Sequence, residues 1–236
     1  MTDMRGFQRH ALSTGLIVLA VVGSARGAAN AGIVASSSFA TDLDGWTSNT
    51  HAEISYQSTG GNPGGYIQFT DNTAASTNVF APSKFLGNYL ANGVSSLSFD
   101  FNIFAETHIQ TLFPYEADLS GPGGSATFLG PMPASVYPTG WVTVTAQISN
   151  TATPPAGWTV NSGTWLGLLA NVTQVQIPIE LITNVTIPGD TDIEGIDNVI
   201  LTSTGIPEPA SLATLGFGLL GLKLLRRLKR AGSRPI

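Results

Sequence analysis

Three stretches of this chain alternate apolar and polar residues with a period of two, and that pattern leaves few folds open. Leu97, Phe99, Phe101 and Ile103 are separated by Ser98, Asp100 and Asn102; Val142, Val144, Ala146 and Ile148 by Thr143, Thr145 and Gln147; Val175, Ile177, Ile179 and Leu181 by Gln176, Pro178 and Glu180. Successive side chains of a strand point to opposite faces, so each stretch has one apolar face to hide. Two sheets packed together hide both. The turn clusters Gly60-Gly61-Asn62-Pro63-Gly64-Gly65, Gly121-Pro122-Gly123-Gly124 and Pro154-Pro155-Ala156-Gly157 separate the runs. The expected fold is all-β, an antiparallel β-sandwich of jelly-roll type forming one domain over residues 32–203. Pro178 lacks an amide N–H and predicts an edge strand or a bulge. One short helical segment is expected from Thr164 to Asn171, where Trp165, Leu168 and Leu169 follow a 3-4 spacing.

Charge narrows the function classes. Only 11% of the residues are charged. Between Gly32 and Ile206 a single base, Lys84, stands against thirteen acids, a formal charge of 1 − 13 = −12. Such a surface repels phosphates, so nucleic acid is not an expected partner. The chain has no cysteine, which removes disulfides, thiolate metal sites and cysteine nucleophiles together.

The other bases lie at the two ends. Arg5 and Arg9 precede an apolar stretch from Ala11 to Gly23, and Ala29-Asn30-Ala31 gives a small-x-small pattern before Gly32. Residues 1–31 therefore read as a signal peptide cleaved between Ala31 and Gly32, with Ala29 and Ala31 as the small residues. At the other end, residues 204–209 form a short linker ending in Pro207-Glu208-Pro209. An apolar, Gly-rich run over 210–225 follows, long enough for a transmembrane helix if Lys223 snorkels. The tail 226–236, with Arg226, Arg227, Lys229 and Arg230 as a basic stop, is expected to stay cytoplasmic.

From Ile206 to about Arg230, this order of parts resembles the PEP-CTERM protein-sorting family. The resemblance implies that Pro207, Glu208 and Pro209 are recognised by an exosortase-type sorting enzyme and that the chain is cut near them. The protein is then exported, held in the inner membrane by its C-terminal helix, and delivered to the cell surface or extracellular matrix.

A second resemblance covers the middle. Phe39-Ala-Thr-Asp-Leu-Asp-Gly-Trp46, Gly61-Asn-Pro-Gly-Gly-Tyr-Ile67, Leu97-Ser-Phe-Asp100, Leu169-Ala-Asn-Val-Thr173 and Gly195-Ile-Asp-Asn-Val199 resemble, in that order, the laminin B (domain IV) type of β-sandwich and, more loosely, jelly-roll carbohydrate-binding modules. Such domains bind or build and carry no activity of their own. By its position in those modules, Asp197 resembles a structural Ca²⁺ ligand, with Asp42 or Asp44 as partners. The other reading of Asp197 is a turn-capping contact before the last strand.

Little else invites chemistry. His51 and His108 are far apart and lack a ligand pattern. There is no nucleophile elbow and no phosphate-cradling loop. Glu106 or Glu116 with Asp118 is a carboxylate pairing that could be proposed for glycoside hydrolysis, but solvated acids on strand edges are the expected reading. Trp46 is expected in the core, and the remaining Trp and Tyr residues in core or rim. The expected protein is not an enzyme and needs no cofactor beyond that calcium. It presents an adhesion or interaction domain; alternatively, the domain is lectin-like and holds exopolysaccharide.

Overall fold

The computed structural model describes residues 31–49, 52–71, 76–106, 111–179, 181–183 and 192–204. The expected signal peptide before Ala31, the expected sorting motif with its apolar run and basic tail, His51, His108 and Glu180 lie outside them. Within the described residues the strands are β1 (Ala31–Ser37), β2 (Thr47–Ser48), β3 (Ala52–Gly61), β4 (Gly64–Asp71), β5 (Asn78–Phe80), β6 (Val94–Ala105) and β7 (Thr111–Leu112). They continue with β8 (Glu116–Gly121), β9 (Gly124–Leu129), β10 (Val142–Gln147), β11 (Trp158–Gly163), β12 (Gln174–Pro178), β13 (Ile182–Thr183) and β14 (Asp192–Thr204). One helix, α1 (Trp165–Ala170), sits between β11 and β12.

Two antiparallel six-stranded sheets result. The first runs β10-β6-β14-β4-β3, with β1 pairing the C-terminal part of β14; the second runs β11-β9-β8-β12-β5-β2. The alternation dictates which faces meet. Leu97, Phe99, Phe101 and Ile103 of β6 are buried, as are Ala117 and Leu119 of β8 and Val175 and Ile177 of β12. Rings bridge the layers: Phe101 and Tyr115 lie 5.4 Å apart.

The short helix forms where its pattern placed it. Thr164, in extended conformation, caps it by accepting the Gly167 N–H at 3.1 Å, and Trp165, Leu168 and Leu169 are buried. Trp165 packs 5.2 Å from Trp158.

Pro178 is not on an edge strand. β12 lies between β8 and β5, but the β8 ladder stops at Gln176, and Pro178 closes the strand opposite Asn78. The missing N–H is tolerated because the β8 neighbour has already ended.

The two ends of the sandwich differ. Ala31 pairs with Thr204 and Gly32 with Ser203, so the expected first residue of the mature chain lies opposite the penultimate residue of β14. Thr204 still donates its N–H to the Gly93 carbonyl at 3.1 Å, so β14 is held through its last residue. The starts of β5, β8 and β14 and the ends of β4, β9 and β12 gather at the opposite end.

Candidate functional site

A cleft of about 380 Å³ opens on the outer face of the second sheet, towards the end away from Thr204. Its floor comes from residues whose strand positions alternate with the core: Glu116 and Asp118 of β8, Gln176 of β12 and Asn78 of β5. Phe113, Pro114, Pro178 and Leu181 supply apolar walls. Phe113 is 39% exposed and Leu129, opposite Glu116 on β9, is 47% exposed, so the apolar surface continues past the rim.

Asp118 is the hub. Thr127 Oγ1 donates to its Oδ1 at 2.5 Å and Gln176 Nε2 to its Oδ2 at 3.3 Å, while Asn161 Nδ2 donates to Thr127 Oγ1 at 2.9 Å. These bonds fix a row of side chains across β11, β9, β8 and β12, with further donor and acceptor capacity on the amides. Burial raises the Asp118 carboxyl above its ordinary range, although the Thr127 hydroxyl opposes this. Burial also raises Glu116, with the Asp118 charge adding to it, to about 7. Nothing among the described residues hydrogen-bonds the Glu116 carboxylate.

The expectation of solvated acids on strand edges is thus corrected for Glu116 and Asp118. β8 lies inside its sheet, and two residues of spacing put both side chains on one face, at backbone positions roughly 7 Å apart. Glu106 is half-buried at the end of β6, outside this cleft.

The three aspartates read as possible calcium ligands sit in different surroundings. Asp42 Oδ1 accepts the Asp44 N–H at 2.7 Å in an exposed loop. Asp44 pairs with Lys84; burial works against its ionisation, but Lys84 and Ser37 hold the carboxyl below its ordinary value. Asp197 is fully buried and accepts the backbone N–H groups of Asn62 at 2.6 Å and Asn198 at 2.7 Å. Asp100, also buried, accepts from Asn62 Nδ2 at 3.1 Å, Asn198 Nδ2 at 2.9 Å and Thr143 Oγ1 at 2.6 Å. This network ties the β3–β4 turn to β14 and β6. Among the described residues, no three His, Cys, Asp or Glu side chains group as metal ligands.

Aromatic residues on the outer face of the first sheet pack on each other. Trp141 meets Tyr66 at 5.4 Å and 76° and Phe104 at 5.7 Å and 87°, and its indole N–H donates to the Gly60 carbonyl at 3.0 Å. Edge-on rings of this kind clamp the β3–β4 hairpin to β10 and offer no flat platform.

The acids give a pH prediction. Burial raises Asp197, Asp118 and Glu116, so each holds its proton more tightly folded than unfolded. Their contribution to stability is full below the unfolded values and is lost as pH rises through the folded ones. For Glu116 the window runs from about 4.5 to about 7. The full-length chain is therefore expected to melt several degrees higher at pH 5 than at pH 8, worth about 1 kcal/mol once the exposure of Glu116 is discounted. A higher melting temperature at pH 8 would contradict the assignment.

An all-β two-sheet antiparallel sandwich bearing a cleft on one outer face is the class of protein these observations define. Residues 205–230 match the PEP-CTERM protein-sorting motif, which implies export and cell-surface sorting. No curated protein sequence matches the chain. Among solved structures it is similar to the CBM22-1 xylan-binding domain from Paenibacillus barcinonensis, at 14% identity and a TM-score of 0.48 over 76% of this chain and 99% of that one. A xylan-binding domain of CBM 22 shares 16% identity at a TM-score of 0.44, covering 74% and 97%. The L4b domain of human laminin alpha-2 shares 14% at 0.37, covering 58% and 79%. No helix among the described residues is long and apolar enough to cross a membrane.

Proposed function

We propose that this is a non-enzymatic, exported surface protein whose sandwich holds polysaccharide in the Glu116–Asp118 cleft. In this reading the chain is cut before Gly32, spans the inner membrane over 210–225 with 226–236 cytoplasmic, and passes to an exosortase-type enzyme at Pro207-Glu208-Pro209. The observation that carries the binding role is the cleft itself: carboxylates and amides converge on its floor between apolar walls. Sugars present hydroxyls for the first and C–H faces for the second.

Binding is favoured over hydrolysis by how the acids are placed. The two carboxyls of a glycosidase flank the scissile bond, one on each side of it. Glu116 and Asp118 stand side by side on one face of one strand.

The cleft lies towards the end of the sandwich opposite Thr204, where the sorting motif begins. A domain tethered through its C-terminus would thus present the cleft away from the membrane.

A glycan array probed with the full-length protein in a non-glycosidic detergent tests this. Binding to at least one defined oligosaccharide is expected, weakened at least tenfold, about 1.4 kcal/mol, by Asp118→Ala or Gln176→Ala. Release of reducing ends from a bound oligosaccharide would overturn the non-enzymatic assignment. Binding that neither variant weakens would remove the site from this cleft.

A further inference from the structure

Resting on that reading, we infer that the cleft selects polysaccharides carrying free amino groups, because Glu116 and Asp118 form an acidic pair in a recess where the described residues place no base to serve an anionic sugar. The described residues contain one base, Lys84, and its ammonium is engaged by Asp44 and by the Ser36 carbonyl at 2.6 Å. A uronate or sulfate polymer would meet like charge in a half-buried site, where repulsion is poorly screened. A neutral sugar can reach the acids and the Asn78 and Gln176 amides through its hydroxyls, but it brings no positive charge to offset the two acids. An ammonium group brings three donors and one positive charge, which suits two adjacent acids. Phe113, Pro114 and Pro178 remain to pack against the ring that carries it.

Geometry leaves the position open for such a group. Both oxygens of Asp118 are already hydrogen-bonded, to Thr127 and Gln176, which holds its carboxylate in one orientation. The Glu116 carboxylate beside it accepts nothing from the described residues. The elements around Glu116 present Leu129 and Thr127 from β9, Gln176 from β12 and Asn78 from β5, so Asp118 is the sole ionisable neighbour in the described cleft. Glu116 is half-protonated near pH 7. An arriving ammonium would stabilise its charged form and expel that proton into solution.

Titration calorimetry at pH 6 on the full-length protein in a non-glycosidic detergent tests this. The probes are glucosamine hexamer, its fully N-acetylated counterpart, xylohexaose, mannohexaose and a galacturonate hexamer. The glucosamine hexamer is expected to bind at least tenfold more tightly than any other, with proton release visible as a heat that changes with the ionisation enthalpy of the buffer. Glu116→Gln, of the same shape, should bring the preference close to one and abolish the proton release. Equal or tighter binding of an uncharged or anionic hexamer would overturn the amino-sugar assignment and leave the polysaccharide reading standing. No binding by any probe would overturn both.

Discussion

Gly123→Ala is expected to destabilise the full-length chain by about 3 kcal/mol, lowering its melting temperature by roughly 6–12 °C. Pro122 and Gly123 are the two turn residues of the β8–β9 hairpin, between the paired Gly121 and Gly124. A Cβ on Gly123 would lie 2.0 Å from the Gly167 carbonyl oxygen and 2.1 Å from its carbon. Both are backbone atoms of α1, which cannot rotate away as a side chain would. The hairpin would have to part from the helix, breaking the bond from the Thr164 N–H to the Gly123 carbonyl and shifting Trp165 and Leu168. Gly32→Ala is the control: its Cβ would meet only the Ser203 hydroxyl, at 3.5 Å. Thermal denaturation followed by circular dichroism should leave that variant within about 0.5 kcal/mol of the parent. Two variants that melt together would show that the hairpin–helix contact is not made.

The turn cluster around Gly123 illustrates what a sequence discloses and what it withholds. Glycine and proline marked a corner there, and the corner is present; the helix that presses against it is 44 residues further on, a proximity no local pattern encodes. The core behaved likewise. Period-two alternation identified the inward faces of β6, β10 and β12, since burial of one face is a local property of a strand. Strand order is not local. Glu116 and Asp118 were visible as acids two apart, but only the sheet order makes β8 an interior strand and sets Gln176 and Asn78 beside them. Gln176 itself stood in an alternating run as an outward polar residue, a signal that any solvated strand face gives. The same limit applies to Asp197. Its place before the last hydrophobic run suggested either a cation ligand or a turn contact. The residue it binds across the fold, Asn62, is 135 positions away.

Trp46→Ala should cost about 4 kcal/mol and should loosen one particular strand, β1, beyond the general loss. Trp46 is 1% exposed and packs edge-on against Phe39 at 6.2 Å and Phe85 at 5.5 Å, so its removal leaves a cavity between rings that cannot close over it. Its indole N–H donates to Ser37 Oγ at 2.9 Å, and Ser37, itself buried, is the last residue of β1. Beyond the Trp46 bond, β1 is held by its ladder to β14 and by the Lys84 ammonium on the Ser36 carbonyl. It lies at a sheet edge, Ile33 is 69% exposed, and its register slips between Ile33 and Ala35. Its ladder nevertheless covers Val199–Thr204, the part of β14 that leads directly into the matched sorting motif. Hydrogen exchange on the full-length chain should therefore show faster loss of protection at the β14 amides facing β1 than at those facing β6. Trp46→Phe, which keeps a ring but no donor, should retain most of the stability while still accelerating exchange along β1. Uniform acceleration across β14 in both variants would mean that the tryptophan stabilises the sandwich as a whole and does not pin the strand beside the sorting tail.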